Sequence, residues 1–143
     1  MTANDFLDLL RRSQLVKEDQ LMKFLGSLAA SNGQRLPDDA ERLSRFMIDA
    51  GMLTEWQTEK LLANKHKGFM LGKYKLLSHI GKGRMSQVYL AEHTLMKRKV
   101  AIKVLPANRV EDSTYLEQFR AEAPGYDIDN DGKTHYIVME YKE

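Results

Sequence analysis

The first half of the chain distributes its apolar residues with a helical period. Leu21, Phe24, Leu25 and Leu28 recur at i, i+3, i+4 and i+7, the stripe of a helix that buries one face. Ser31-Asn32-Gly33 then stops it. Earlier, Phe6, Leu7, Leu9 and Leu10 crowd one side of a helix that Thr2 and Asp5 open with capping-box spacing. After Pro37, Asp38 and Asp39 suit a helix start, and Leu43, Phe46, Met47 and Ala50 form another stripe, ended by Gly51. Thr54-Glu55-Trp56-Gln57 is a second capping box, leading into Leu61 and Leu62. Residues 13–25 align with residues 50–62 at an offset of 37, sharing Glu18/Glu55, Gln20/Gln57, Lys23/Lys60 and Leu25/Leu62. The pattern predicts two αα-hairpins, a four-helix module over residues 1–65 with Trp56 in its core.

From Lys73 onward the pattern changes to short runs rich in β-branched and aromatic residues. Tyr74–Ile80 reads as a strand broken by Gly81-Lys82-Gly83, Gln87–Glu92 as a second and Lys99–Leu105 as a third. Residues 113–122 read as a short helix stopped by Pro124-Gly125, and Tyr126–Asn130 with Thr134–Tyr141 as a hairpin around Asn130-Asp131-Gly132. Residues 66–73 are then a basic linker between two domains, 1–65 and 74–143, and the fold class is α+β.

Composition narrows the chemistry. The 143 residues include no cysteine, so disulfides, thiolate metal sites and cysteine nucleophiles are excluded. His66, His79, His93 and His135 are too widely spaced for a short metal motif. No apolar run reaches the roughly 18 residues needed to span a bilayer and no signal peptide is evident, which predicts a cytoplasmic protein with no membrane partner. The net charge of +2 is unevenly spread. Residues 1–65 carry 9 basic and 10 acidic side chains, residues 66–112 carry 10 and 3, and residues 113–143 carry 3 and 7. A basic centre between neutral and acidic flanks fits an anion-binding segment. Lys97-Arg98-Lys99 is read as a solvated hairpin turn, with no nucleic-acid partner assigned. Asp127-Ile128-Asp129-Asn130-Asp131-Gly132 matches the opening of a calcium loop, but Val138 stands where the bidentate glutamate is needed. An acidic hairpin turn is the simpler reading, and no metal ligand is assigned.

One constellation is specific. Ile80-Gly81-Lys82-Gly83-Arg84-Met85-Ser86-Gln87-Val88 resembles the protein-kinase glycine-rich loop G-x-G-x-x-G-x-V, with Ser86 at the third glycine. Downstream, Val100-Ala101-Ile102-Lys103 resembles the kinase V-A-I-K. Phe119–Ala123 resembles the helix that carries a conserved-role carboxylate in kinases, which nominates Glu122, and Tyr136–Tyr141 resembles the strand that leads into the hinge. The likeness covers roughly residues 70–143 and is greatest to bacterial serine/threonine kinases. Planctomycete-type members are similar further back, through the Trp-Gln helix and the HKGFMLGKYKLL linker.

The resemblance implies a kinase N-lobe: an antiparallel sheet of about five strands, one short helix and an ATP site. Backbone N–H groups of Gly81, Lys82, Gly83, Arg84, Met85, Ser86 and Gln87 would cradle the phosphates, since a loop lacking Cβ atoms permits close approach. Ile80 and Val88 would roof the adenine, and Ala101 would leave room for it. Lys103 would pair with the α- and β-phosphates, held by Glu122. Met139 would be the gatekeeper, with Glu140 and Tyr141 offering backbone groups to the adenine edge. Magnesium would arrive only with the nucleotide. Two departures stand against full activity. Only Ala123-Pro124-Gly125 separates Glu122 from Tyr126, about a dozen residues fewer than in the family. In addition, no H-R-D-x-x-x-x-N, D-F-G or A-P-E occurs in these residues. Phosphoryl transfer by these residues alone is not expected. The alternative reading is a non-catalytic interaction module whose helices bind a protein partner.

Overall fold

The structure, a computed structural model, describes residues 1–82, 86–105, 117, 121, 127–131 and 134–141. The helix expected at 113–122, and Glu122 with it, lies outside the described residues. So do Gly83, Arg84 and Met85 of the glycine-rich segment. The chain divides into two compact units, Met1–Phe69 and Met70–Glu143.

The first unit holds α1 (Ala3–Ser13), α2 (Glu18–Ser31), α3 (Ala40–Asp49) and α4 (Glu55–Leu62). Both capping boxes form. The Thr2 hydroxyl accepts from the Asp5 N–H at 3.1 Å while the Asp5 carboxylate accepts from the Thr2 N–H at 3.1 Å. The Thr2 N–H, with a smaller contribution from the Thr2 hydroxyl, holds the Asp5 carboxyl below its usual range. Thr54 and Gln57 exchange the same pair of bonds at 3.0 and 3.1 Å. At α3, the Asp39 side chain accepts from the Arg42 N–H. Each cap satisfies backbone donors that the first helical turn leaves unpaired.

The core is apolar and continuous. Phe6, Leu10, Leu21, Leu43, Met47, Leu61 and Phe69 are fully enclosed, each contributing about 1.5–3 kcal/mol of transfer energy. Trp56 packs edge-on against Phe69 with ring centroids 5.7 Å apart, partly buried against the same core. Lys60 lies over both rings, 4.9 Å from the Trp56 centroid and 5.7 Å from that of Phe69. Burial, with a smaller contribution from Lys65, lowers the Lys60 pKa.

The offset of 37 seen in the sequence recurs in the backbone. Ala3 and Ala40 begin α1 and α3, and Glu18 and Glu55 begin α2 and α4. Buried Ala3, Phe6, Leu7 and Leu10 correspond to buried Ala40, Leu43, Ser44 and Met47. Thr2 and Asp39 form an antiparallel bridge, and its flanking bonds are Ala3 N–H to Asp38 O (2.8 Å) and Ala40 N–H to Met1 O (3.3 Å). The same shift exchanges these two bonds, so a local two-fold axis runs between α1 and α3. The closest helix pairs are α1–α3, α3–α4 and α1–α4, so the relation does not extend to the packing of α2. An α1–α2 hairpin, which the sequence pattern suggested, is not among them. Instead α2 joins the core through Leu21, Leu25 and Leu28, and Arg11 ties it to α1 by an exposed ion pair with Glu18 at 3.1 Å.

The second unit is an antiparallel sheet of β1 (Met70–Leu71), β2 (Tyr74–Lys82), β3 (Gln87–His93), β4 (Lys99–Leu105), β5 (Asp127–Asp131) and β6 (Thr134–Glu140), in the order β1-β2-β3-β4-β6-β5. Six strands replace the expected five, because Met70 and Leu71, counted with the linker by composition, pair with Lys75 and Tyr74. The second strand also continues through Gly81 and Lys82; a register shift between His79 and Gly81 absorbs the irregularity expected to break it. Asp127–Asp131 is extended and paired residue by residue with β6, a strand rather than a wrapping ion-binding loop. Among the described residues no helix is long and apolar enough to cross a membrane.

At the β1–β2 turn Gly72 takes a left-handed backbone (φ +54), and a Cβ there would lie 2.7 Å from the Tyr136 hydroxyl. Tyr136 is fully buried and packs edge-on to Tyr74, so it has little room to yield. Gly72→Ala is expected to destabilise the sheet unit by more than about 1 kcal/mol, read as a lower denaturant midpoint. The isolated fragment 1–69 is expected to fold by itself, because its apolar faces are mutually satisfied. Its circular dichroism should show the helical minima at low temperature, and a coil spectrum would refute this.

Candidate functional site

Directly opposed residues of an antiparallel pair share a face, as do residues two apart on one strand. The register therefore assigns the sheet's faces. Gly81 opposes Val88, Val88 opposes Lys103, and Lys103 opposes Ile137, one continuous row across four strands. Two residues along, Leu90 opposes Ala101 and Ala101 opposes Met139. Val88, Ala101, Lys103 and Met139 thus stand together on one face, beside the backbone of Gly81. Five of the residues nominated from sequence meet in two adjacent rows.

Local sequence explains the placement. Val100, Ile102 and Val104 are β-branched and suit a strand paired on both sides. Ala101 is buried and Lys103 half-buried, so the face pairs a small residue with a cation whose charged head reaches past the apolar stem. Gly81 has open space where a Cβ would project, so backbone and not side chain defines that edge. Ser86, at the third glycine position, is buried at 5% exposure. Glu140 ends β6 opposite Val100 and is exposed, while Tyr141 follows it half-buried. Lys82 is exposed and opposes half-buried Gln87.

Ile80 departs from the simple picture. It lies within the register shift, has no Cα partner across the ladder and is 47% exposed. The pairing of Lys103 with Glu122 falls outside the described residues. Among the described residues no group of three or more acidic or histidine side chains converges as a metal site.

Sequence reasoning missed a polar latch on the opposite face. His79 opposes Tyr89, and its Nε2 lies 2.6 Å from Gln87 Oε1. The His79 and Tyr89 rings meet edge-on at 5.2 Å, and burial raises the Tyr89 pKa. The latch fastens the two strands that lead into and out of the glycine-rich turn. His79 and Gln87 flank the glycine-rich segment in sequence, and that spacing was the available signal.

No protein-family profile matches the chain. Curated relatives do. It is 38% identical over 84 residues to the serine/threonine-protein kinase PrkC of Bacillus subtilis, covering 50% of this chain and 13% of that one. It is 35% identical over 86 residues to PknA of Mycobacterium tuberculosis, covering 48% and 20%. A probable kinase PknB of Corynebacterium glutamicum is 36% identical over 84 residues, covering 48% and 13%. Among solved structures, the PknI kinase domain of Mycobacterium tuberculosis superposes with a TM-score of 0.42 at 22% identity, covering 52% of this chain and 35% of that one. About half of the chain is thus homologous to bacterial serine/threonine kinases, and it spans between 13% and 20% of the length of these three curated relatives.

Gln87→Leu removes the latch without emptying the space. It should cost at most about 1 kcal/mol, because the bond is exposed. Amide exchange measured by NMR should quicken at Val88 and Tyr89 and stay unchanged in α1–α4.

Proposed function

We propose that the sheet unit is the nucleotide-binding lobe of a serine/threonine protein kinase and that its ligand is ATP. The observation that carries this reading is the shared face of Val88, Ala101, Lys103 and Met139 beside the Gly81 backbone. A flat apolar floor with one small residue accommodates an adenine ring. A cation two residues further along the same strand meets the phosphates that such a ring would carry. Kinase relatives over the same half of the chain support the assignment.

In this reading Val88 and Ala101 contact the base, Met139 limits its depth, and Glu140 and Tyr141 present backbone groups to its edge. Ile80 closes over the ring when ligand arrives. Lys103 positions the α- and β-phosphates, with Glu122 as its partner, and the segment Gly81–Gln87 wraps the triphosphate. Magnesium accompanies the nucleotide and neutralises its charge. Protein phosphorylation is the activity of the whole kinase to which such a lobe belongs.

One sheet face covers only one side of a ligand, whereas tight sites enclose most of it. The 143-residue chain is therefore expected to bind ATP with a Kd no tighter than about 0.1 mM, or roughly −5.5 kcal/mol. In an NMR titration with ATP and magnesium, shifts should cluster at residues 80–103 and 139–141. Lys103→Met should abolish them while the spectrum stays folded, since methionine fills similar space without charge. Gly81→Ala should weaken binding and leave stability unchanged, because its Cβ meets open space. If millimolar ATP moves no resonance on this face, the interaction-module reading replaces this one.

A further inference from the structure

The hairpin joining β3 to β4 carries two exposed apolar side chains at its tip. Leu95 is 83% and Met96 61% exposed, more than any other large apolar residue described. The turn beneath them is closed by hydrogen bonds. The His93 N–H donates to Arg98 O at 2.9 Å and the Lys97 N–H donates to His93 O at 2.8 Å. The two donors at the tip are taken up by one side chain: His93 Nδ1 accepts from the Leu95 N–H at 3.2 Å and the Met96 N–H at 3.0 Å. The tip thus presents apolar side chains with its own N–H groups already paired, which lowers the cost of leaving water.

Its surroundings are basic. Lys97 and Arg98 follow directly and are exposed. Thr94 donates from its N–H and its hydroxyl to Lys73 O at 2.9 and 3.0 Å, which sets the exposed Lys73 beside the tip. Glu92, the carboxylate next to His93 in sequence, stands on the ladder opposite Lys99. Lys97 also adopts a left-handed backbone (φ 57), where glycine or asparagine is the usual occupant. The position keeps a charged side chain at a conformational cost.

We propose that this hairpin tip docks the protein on an anionic lipid surface, with Leu95 and Met96 entering the interface and Lys73, Lys97 and Arg98 meeting the headgroups. A protein partner is disfavoured by shape. A two-residue convex tip supplies far less than the roughly 800 Å² per partner of a stable protein interface. A bilayer needs only inserted apolar groups and nearby positive charge. That no helix among the described residues could cross a membrane does not bear on this, since a docking tip needs none.

The test is co-sedimentation of the 143-residue chain with phosphatidylcholine vesicles, with and without phosphatidylserine. Binding is expected only with phosphatidylserine. Leu95→Ser with Met96→Ser should weaken it at least about tenfold, and Lys97→Glu with Arg98→Glu roughly 25-fold or more. Lys97→Gly should weaken binding while thermal stability holds or rises, which separates affinity from folding. Independently, tryptophan emission of Leu95→Trp, corrected for Trp56, should shift to the blue on anionic vesicles. The proposal is overturned by equal binding to pure phosphatidylcholine, by indifference to the Leu95/Met96 change, or by no emission shift. Tighter binding to duplex DNA than to vesicles would also overturn it, marking the tip as a nucleic-acid surface.

Discussion

Strand β4 is the constraint on which the candidate site depends. It is hydrogen-bonded along its whole length to β3 on one side and β6 on the other, and alternation along a strand leaves no freedom over which face each residue takes. Once Val88 opposes Lys103 and Ala101 opposes Met139, four residues from three strands must share a surface. A slip of one residue would send Lys103 to the face of Ile102 and take it out of the row it forms with Val88 and Ile137.

The two faces of the β2–β3 hairpin divide the labour. One face carries Gly81 and Val88, where open space allows close approach. The other carries His79, Gln87 and Tyr89, whose hydrogen bond and ring contact hold the strands together. At the opposite end of the sheet, His93 plays the corresponding part for the β3–β4 turn, accepting from the two N–H groups that the turn itself leaves over. Histidine side chains close both ends of β3, one by pairing across strands and one by capping.

In the helical unit, the two-fold relation between α1 and α3 sets how these two short helices meet. Isolated helices of this length are marginal in water. The Thr2–Asp39 bridge brings both helix starts together at once, so one contact orients two apolar faces. Capping at Thr2, Asp39 and Thr54 then fixes where α1, α3 and α4 begin, and the enclosed Phe6, Leu10, Leu43 and Met47 add to the gain from burial.

Much of this was legible in the chain. Helical stripes and capping boxes set the four helices because cap chemistry is local, and Thr2, Asp39 and Thr54 need only neighbours three residues away. Short runs rich in β-branched and aromatic residues around Gln87–Glu92 and Lys99–Leu105 set the strands, and the glycine and V-A-I-K spacing nominated the candidate site. Other features were settled only in three dimensions. Composition assigned Met70 and Leu71 to a linker, but a two-residue strand exists only by virtue of the partner it pairs with. The stripes said that each helix buries a face without saying against which neighbour, since apolar contact is not directional; the α1–α3 pairing came from a backbone bridge between residues 37 apart. Ile80 fell within a register shift, and the need for glycine at position 72 arose from a tyrosine 64 residues further along the chain. Local hydrogen bonding and periodicity are written in consecutive residues, whereas register, face and steric fit are properties of segments that meet only when the chain has folded.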